Sequence, residues 1–402
     1  MDQTEALIIE TIDRHREEIL EFARDIYSHA ELGYKEFQTS EKFVKKMEQL
    51  GLRTEKGFAI TGVKSYLNED KKENASLALL GELDALRIPE HTFANPETNA
   101  AHCCGHHAQM AGVFGAALAL TVPEIAEKLD GQVVFFATPA EEYGEIEFKN
   151  QLREQGKIRY GGGKCELLRI GAFDDIDLCL THHIRPGNEI LVGSGTGNGF
   201  VSKVIRVLGK ASHAAGAPEK GVNALSAASL GLQALGLNRE TFRDEDCVRV
   251  HPIITKGGNL VNVIPDEVVV ETLVRGKTIE AFTDAAKKTD RSFKAGAVAM
   301  GAKVEISTLP GYLPTLAEEA LPELKHAAEI SASGIPVIEA SGHAGGSTDV
   351  GDVQHLMPVY TFNTGGVKGG LHQIDFEVTN EEEAYIVTAK MFALAAYGLL
   401  KE

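Results

Sequence analysis

The sequence predicts an α/β fold in which a mostly parallel sheet lies between helices, with a smaller domain inserted into it. Short apolar runs at 76–86, 132–142 and 175–183 have the length of buried strands, and helical stretches such as 108–120 lie between them. Residues 197–307 have a different pattern of predicted elements, in the order strand, helix, two strands, helix, strand. That order is typical of a ferredoxin-like βαββαβ module, so the larger domain is expected to be discontinuous in sequence.

In the larger domain, apolar residues at helical spacing predict helices over about 5–27 and 39–51. The same pattern predicts a final helix over 381–400. The glycine-rich stretch 193–199 is expected to act as a hinge into the inserted domain. We therefore predict three segments: a first part of the larger domain at 1–196, the inserted lid at 197–307, and the second part of the larger domain at 308–402.

The elements predicted for the lid follow from period-two and period-3.6 patterns. A "GGNLVNVIP" turn separates its second and third strands. In chain order, the predicted elements are a strand at 199–210, a helix at 223–236, strands at 247–255 and 266–276, a helix at 279–300 and a strand at 303–308.

Composition and charge exclude several classes of protein. The chain has 402 residues, is 43% hydrophobic and 24% charged, and carries a formal charge of -18. No run of Lys or Arg offers a surface for nucleic acid or anionic lipid, so we expect neither as a partner. The acidic, amphipathic N-terminus does not resemble a signal peptide. Five cysteines, two of them adjacent at 103 and 104, do not form a disulfide pattern, and a cytoplasmic protein is expected.

One short segment is unusually rich in metal-binding residue types. Residues 101–110 read "AHCCGHHAQM", and two other strand ends carry the pairs Glu141 and Glu142, and His182 and His183. In open α/β sheets, ligand sites lie at the carboxyl ends of strands, where these side chains would be gathered. Thiolate, imidazole and carboxylate together suit divalent metals of borderline softness, so the pattern predicts a metal site.

The spacing within these pairs also indicates a reaction. Cys104 and His106 are separated by one glycine and can both turn toward one metal or a bridged pair. Adjacent glutamates at a strand end point in different directions, so one can bind metal while the other takes a proton from water. A metal lowers the pKa of bound water from 15.7 toward about 7, which makes hydroxide available at neutral pH. The residues therefore indicate a metallohydrolase.

Other interpretations of the same residues stay open. The histidines and thiols could form a polar helix start, the glutamates a solvated pair, and His182 and His183 a satisfied core pair. Cys103 or Cys104 beside histidine could instead form the thiolate-imidazolium pair of a thiol hydrolase. A third possibility is a catalytically silent protein that only binds metal or a peptide-like ligand. A zinc finger is disfavoured because the chain has no C-x-x-C pair.

The chain resembles the dinuclear metallopeptidases of family twenty, in their amidohydrolase branch. This branch includes aminoacylase-like enzymes, auxin-conjugate hydrolases and p-aminobenzoyl-glutamate hydrolase. The resemblance implies a zinc-peptidase-like catalytic domain and a ferredoxin-like lid. It rests on motifs that run in order through the chain, namely "HAELGYKEFQTSEKFVKKMEQLG", "GELDALRIPE", "HCCGHH", "TPAEEYGE", "THHIRP", "GKASHAA", "NVIPDEV", "ETLVRG" and "HQIDF".

Carried over by motif, the resemblance implies two divalent metal ions, zinc or manganese. Glu141 would be the general acid and base, and Asp84 would orient a metal-binding side chain. The implied metal ligands are Cys104, His106, Glu142, His183 and His372.

The resemblance also implies residues that hold the substrate. His213 on the lid would stabilise the oxyanion, and Asn262 and Arg275 would bind substrate, with the planar Arg fork suited to a carboxylate. The implied activity is hydrolysis of the amide bond in a small N-acyl amino acid, an aminobenzoyl-glutamate-like conjugate or a dipeptide. A homodimer formed through the lid is expected, with neither nucleic acid nor membrane as a partner.

The chain departs from the family pattern at five positions. His107 stands where the family usually has aspartate, Gln109 where histidine is common, Cys103 where the residue is small, Arg87 where proline is usual, and Glu82 where aspartate is usual. None of these changes removes a predicted ligand. His107 and Glu82 are expected to alter the surroundings of the metals and the metal that is preferred.

Overall fold

A computed structural model of the chain describes residues 1–332 and 334–401. These residues form two compact units. Unit 1 contains Met1–Gly195, Leu316–Gly342 and Asp352–Glu402, and unit 2 contains Thr196–Thr315 and His343–Gly351. Compared with the lid predicted at 197–307, unit 2 therefore also includes residues 308–315 and a later segment of the chain.

The helices and strands of the described residues follow in chain order. The helices are α1 (Gln3–Arg14), α2 (Arg16–Ser28), α3 (Phe37–Gln49), α4 (His106–Leu120), α5 (Pro123–Ala126), α6 (Ile146–Glu154), α7 (Gly163–Arg169), α8 (Ala224–Asn238), α9 (Ile279–Ala299), α10 (Pro322–Ser331), α11 (Val350–Gln354) and α12 (Thr388–Leu400). The strands are β1 (Arg53–Phe58), β2 (Gly62–Leu67), β3 (Ser76–Glu82), β4 (Leu86–Arg87), β5 (Ala100–Ala101), β6 (Gln132–Thr138), β7 (Leu178–Ile184), β8 (Ile190–Val192), β9 (Thr196–Gly197), β10 (Gly199–Leu208), β11 (Arg249–Val250), β12 (Ile253–Lys256), β13 (Glu267–Gly276), β14 (Lys303–Pro310), β15 (Val337–Glu339), β16 (His343–Ala344), β17 (Val359–Thr364), β18 (Val367–Lys368) and β19 (Glu377–Val378).

Unit 1 is built on a large, mostly parallel sheet, which confirms the predicted fold class. Within the described residues the strand order is β1-β2-β6-β3-β7-β17-β8-β15. The central strands β6, β3, β7 and β17 pair in parallel, and β1 and β2 add an antiparallel edge. β3 and β6 are buried at every position, as the continuous apolar runs predicted.

Helix α4 lies in the core of unit 1. All of its residues are buried, and it packs closely against α12. A side chain at Gly112 would lie 3.0 Å from Phe392, and one at Gly115 would lie 2.5 Å from Ala389. Glycine is therefore required for this helix contact, and the contact fixes the start of α4, which carries part of the predicted metal site.

The N-terminal helical pattern forms two helices rather than the single helix predicted over 5–27. The break lies at His15, whose backbone has φ -94° and ψ 13°. Its imidazole Nδ1 lies 3.2 Å from the Glu18 carboxylate in the first turn of α2. Both helices still bury their apolar faces, so the periodicity predicted burial correctly and missed the bend.

Unit 2 contains the predicted βαββαβ order. Its main sheet has β13 between β10 and the short strands β11 and β12, with β14 on the other side of β10, and all of these pairs are antiparallel. The strand predicted over 247–255 is split into β11 and β12. Pro252 lies at the split, and proline has no N–H to donate to a neighbouring strand.

One helical stretch, Glu382–Leu400, is long and apolar enough to cross a membrane by length and composition. Of its most apolar window, 83% is buried inside the folded chain. Burial of this kind is typical of a core helix in a folded domain.

Candidate metal centre

Most of the predicted site residues of unit 1 lie at the carboxyl ends of neighbouring strands. Asp84 follows β3, and Glu141 and Glu142 follow β6. His183 is the second-last residue of β7, and the start of α4 brings in His106. Because β3, β6 and β7 are parallel neighbours, their ends meet at one edge of the sheet, as the sequence predicted.

A glycine between two predicted ligands shapes the backbone here. Gly105 is the residue before α4 and has φ +81°, a left-handed conformation that glycine adopts without steric cost. A side chain at this position would come within 2.0 Å of the Ile184 side chain. The turn therefore depends on glycine and presents Cys104 and His106 on its two sides.

Cys104 lies at the centre of one group of donor atoms. Its Sγ is 3.2 Å from His183 Nε2 and 3.3 Å from His372 Nε2. His372 Nε2 is also 3.1 Å from Glu142 Oε1. His372 reaches this position from the loop between β18 and β19, with its backbone at φ 62°. Four predicted ligands therefore converge on a small volume.

His106 is the fifth predicted ligand. Its Nδ1 lies 2.9 Å from the carbonyl oxygen of Asp84 and 3.2 Å from the carboxylate oxygen Oδ1 of Asp84. Nδ1 therefore donates, and Nε2 faces the carboxylates of Glu82 at 3.1 Å and Glu141 at 3.9 Å. Asp84 also accepts the backbone N–H of Glu142 at 2.9 Å, so one buried carboxylate positions two predicted ligands.

Burial and neighbouring charges shift the pKa values of the site strongly. Burial raises the pKa of the Cys104 thiol, and the Glu142 carboxylate raises it further. Burial alone lowers the pKa of His106, but the negative charge of the Glu82 carboxylate outweighs burial and holds the pKa well above the usual value. The site is therefore strongly attractive to positive charge.

These residues fit a divalent metal centre. Three groups have donor atoms within 4.8 Å of one another: Cys104 with His106 and His183, Cys104 with Glu142 and His372, and Glu82 with His106 and Glu141. His106 Nε2 is buried and makes no hydrogen bond among the described residues. Sulfur, imidazole and carboxylate donors of this kind suit zinc and similar ions. The assignment of each residue as a ligand stays a prediction.

The other histidine of the strand-end pair points into the core. His182 Nε2 lies 2.8 Å from the Thr364 hydroxyl, and its ring packs 5.0 Å from that of Phe362. Successive residues of a strand face opposite sides, so His182 faces the core while His183 faces the site. This outcome agrees with the satisfied-core interpretation for one member of the pair.

Four of the five departures from the family pattern are buried, and Arg87 is exposed. Cys103 belongs to the apolar core, and His107 Nε2 lies 3.1 Å from the Tyr385 hydroxyl. Gln109 donates to the Glu82 carboxylate at 2.9 Å and accepts the Glu82 backbone N–H at 2.8 Å. Arg87 is exposed on β4. Glu82 and Gln109 thus form a pair that replaces residues usual in the family.

Two further buried groups were missed in the sequence. Lys164 Nζ lies 2.5 Å from Glu82 Oε1 and is fully buried. Burial raises the pKa of Glu82, but Lys164, followed by His106, outweighs burial and lowers it to about 2. Glu36 accepts the N–H of Ala140, one residue before Glu141. A lysine after three glycines in "GGGKCE" was the available signal for Lys164.

Unit 2 contains the three remaining predicted residues. His213 and Asn262 lie on adjoining loops, joined by the hydrogen bond from the Ala214 N–H to the Asn262 carbonyl at 2.9 Å. Arg275 lies near the end of β13, where its guanidinium donates to the Ser347 hydroxyl at 3.2 Å and lies 5.6 Å from the centre of the Phe200 ring. Their roles stay predictions.

Comparison with known proteins agrees with this description. The chain is 28% identical over 306 residues to mouse Xaa-Arg dipeptidase, which covers 74% of this chain and 63% of the dipeptidase. It thus spans less than two thirds of the length of that relative. It is 26% identical over 399 residues to N-acetylcysteine deacetylase of Bacillus subtilis, covering 95% of this chain and 97% of the deacetylase.

A solved structure shows the same fold. A dinuclear metal-binding peptidase of the M20 family from Bacillus subtilis superposes with a TM-score of 0.67 at 23% identity, covering 96% of this chain and 99% of the peptidase. Residues 78–397 match peptidase family M20/M25/M40. This match covers most of the chain and includes every predicted site residue, so the resemblance inferred from the motifs is confirmed. The chain belongs to peptidase family M20/M25/M40.

Proposed function

We propose that this chain is a dinuclear metal-dependent amidohydrolase that cleaves small amides bearing a free carboxylate. The substrate class is an N-acyl amino acid, an aminobenzoyl-glutamate-like conjugate or a dipeptide. The observation that carries the proposal is the convergence of thiol, imidazole and carboxylate donors around Cys104 beside the further carboxylate Glu141. The dipeptidase and deacetylase among the relatives support the substrate class.

The metals proposed are two divalent ions, zinc or manganese. When bound, they supply Lewis acidity that lowers the pKa of water and polarises the amide carbonyl. The residues proposed to hold them are Cys104, His106, Glu142, His183 and His372. The dinuclear metal-binding peptidase of the same fold supports the number of ions, and the mixed donor set supports the choice of metal.

Glu141 is proposed as the general acid and base. Its carboxylate lies 3.9 Å from His106 Nε2 and is only 8% exposed, so it is held beside the predicted metal ligands. Its carboxylate takes a proton from the attacking water and returns that proton to the leaving amine nitrogen. Asp84 supports this step indirectly, since it fixes both His106 and the backbone of Glu142.

The proposed roles in unit 2 follow from hydrogen bonding. His213 Nδ1 accepts the Gly216 N–H at 3.0 Å, so the neutral ring carries its proton on Nε2. His213 is exposed and can offer that N–H to an oxyanion. Arg275 presents a planar fork suited to a substrate carboxylate, and Asn262 is proposed to bind the same substrate.

The thiol-hydrolase alternative is less well supported. Burial raises the pKa of Cys103 to about 12, which leaves its thiol protonated at neutral pH. Burial also raises the pKa of Cys104, whose sulfur faces two imidazoles and lies near the Glu142 carboxylate. A thiol hydrolase would be inactivated by alkylation and indifferent to chelators, whereas the metal enzyme loses activity on chelation and regains it with added metal.

A homodimer formed through the lid and a cytoplasmic location are also proposed. The dimer is supported by exposed apolar side chains of unit 2, which include Ile253, Leu260 and Val261. Light scattering on the purified chain and on L260E tests it, because a charged residue in the interface should yield monomer. The location is supported by the five free thiols, which suit a reducing compartment.

The function is tested with E141Q and the control E145Q, whose glutamate lies on the same loop and pairs with Lys35. Each protein is assayed with N-acetyl amino acids, dipeptides and p-aminobenzoyl-glutamate, and its metal content is measured. We expect E141Q to lose at least about 100-fold in kcat while keeping both metals, and E145Q to remain active. An active E141Q contradicts the mechanism. A metal-loaded wild type that is inactive on every substrate indicates the catalytically silent alternative.

A further inference from the structure

Glu82 is a buried carboxylate that lies outside the set of five predicted ligands and the base Glu141. It ends β3 and is 3% exposed. Its Oε2 lies 3.1 Å from His106 Nε2, and its donor atoms fall within 4.8 Å of those of His106 and Glu141. Glu82 therefore faces the same nitrogen that is predicted to bind metal.

The orientation of Glu82 is fixed by two buried partners. Lys164 Nζ donates to Oε1 at 2.5 Å, and Gln109 Nε2 donates to Oε2 at 2.9 Å. The backbone N–H of Glu82 is in turn held by Gln109 Oε1 at 2.8 Å. These contacts hold both carboxylate oxygens in place and leave a second lone pair on Oε2, which is free to accept a further partner.

The contact between Glu82 and His106 is not an ordinary hydrogen bond. His106 Nδ1 already donates to Asp84, and Nε2 makes no hydrogen bond although Glu82 Oε2 is close. A ring nitrogen and a carboxylate oxygen that face each other in a buried site attract a cation that both can bind. Because His106 is fully buried, bulk water cannot easily take the place of such a cation between the two side chains.

We propose that Glu82 is a further metal ligand, acting at the ion that His106 binds. This inference rests on the proposed dinuclear function. It makes the two metal positions chemically different, since the soft Cys104 sulfur is grouped with Glu142 and His372, while Glu82 adds a further oxygen donor beside His106. Carboxylate donors favour ions such as Mn²⁺, so Glu82 shifts one position toward an oxygen-preferring cation.

The test compares metal binding by wild type, E82Q and E82D, with E5Q as a control. Glu5 is a buried glutamate at the start of α1, and its contacts include Asp2, His326 and Lys401. Chelated proteins are titrated with Mn²⁺ and Zn²⁺ by calorimetry, and bound metal is counted by elemental analysis. Absorption spectra of the Co²⁺-loaded proteins report thiolate coordination and ligand number separately.

We expect E82Q to weaken Mn²⁺ binding at one of two positions by at least about tenfold. Its Co²⁺ spectrum should keep the thiolate charge-transfer band and change in the d–d region, while E5Q matches wild type in both. An E82Q protein with wild-type affinities and spectrum overturns the role of Glu82.

If circular dichroism shows that E82Q is unfolded, the E82D variant is used to test whether Glu82 binds metal. Its shorter carboxylate should give a changed d–d spectrum and weaker Mn²⁺ binding, and an unchanged spectrum with unchanged affinity overturns the inference. If the wild-type protein binds no divalent ion, the proposed function itself is overturned. If the wild-type protein binds metal and the Glu82 variants bind it equally well, only the inference about Glu82 is overturned.

Discussion

The Nδ1 atom of His106 lies 2.9 Å from the carbonyl oxygen of Asp84 and 3.2 Å from its carboxylate. The other carboxylate oxygen of Asp84 accepts the N–H of Glu142. Asp84 therefore fixes the imidazole tautomer and, at the same time, the backbone of a second predicted ligand. Such partners of metal ligands control affinity without touching the metal.

The first prediction concerns D84N. Asparagine keeps only one acceptor oxygen, so one of the two contacts is lost, and metal affinity should fall about 10- to 100-fold with the fold intact. Calorimetric titration with Zn²⁺ measures the loss. The control is D177N, since Asp177 also accepts a backbone N–H, from Ser76, at the opposite end of β3. Equal affinities for the two variants would show that Asp84 has no such role.

The second prediction concerns R275K. Lysine keeps the charge but loses the planar fork, and loss of one charge-assisted hydrogen bond costs about 1.5–3 kcal/mol. KM for N-acyl amino acids should therefore rise about 10- to 100-fold, while substrates with an amidated carboxyl group are affected little. R249K is the matched control, because Arg249 lies opposite Arg275 in the neighbouring strand. A rise in KM for both substrate types would argue against carboxylate recognition.

The third prediction concerns the pH dependence of stability. Burial, followed by the charge of Asp84, raises the pKa of Glu36 from 4.5 to about 7. The folded chain therefore holds this proton more tightly than the unfolded chain. The stabilisation that this proton provides is complete below the pKa of Glu36 in the unfolded chain. It is lost as the pH rises through the folded-state pKa of about 7.

Glutamine at this position carries no titrating proton. The free energy of unfolding of each protein is measured with urea between pH 5 and 8. As the pH rises, the value for E36Q should increase relative to that for wild type, by up to about 3 kcal/mol. The measured quantity is the difference between the two proteins at each pH, so the titration of all other groups cancels. Parallel curves for the two proteins would exclude this role for Glu36.

The sequence predicted those parts of the fold and site that depend on local pattern. Strand-length apolar runs located β3, β6 and β7, and the parallel arrangement then brought their polar ends together. The spacing around Gly105 was enough to suggest that Cys104 and His106 face one volume. The bend at His15 and the split at Pro252 were missed, because both depend on single residues within otherwise regular patterns.

Contacts between distant segments could not be predicted in this way. His372 lies 268 residues from Cys104 and reaches it through a loop with a left-handed backbone, for which the sequence has no periodic signal. The ion pair of Lys164 with Glu82 spans 82 residues and is visible only after folding. The resemblance supplied His372 by motif, but it gave no reason to expect Lys164.

The fourth prediction uses two glycines with similar backbones and different surroundings. Gly105 and Gly51 have φ of +81° and +77°, but a side chain would lie 2.0 Å from Ile184 at position 105 and within 4 Å of nothing at position 51. G51A should cost only the left-handed strain of about 1–2 kcal/mol. G105A should add about 1–3 kcal/mol of overpacking.

G105A should also weaken metal binding, because any shift of the turn moves both Cys104 and His106. Thermal unfolding and Zn²⁺ titration of both variants separate the two effects. If G105A bound Zn²⁺ as tightly as G51A, the turn at Gly105 would not position the site.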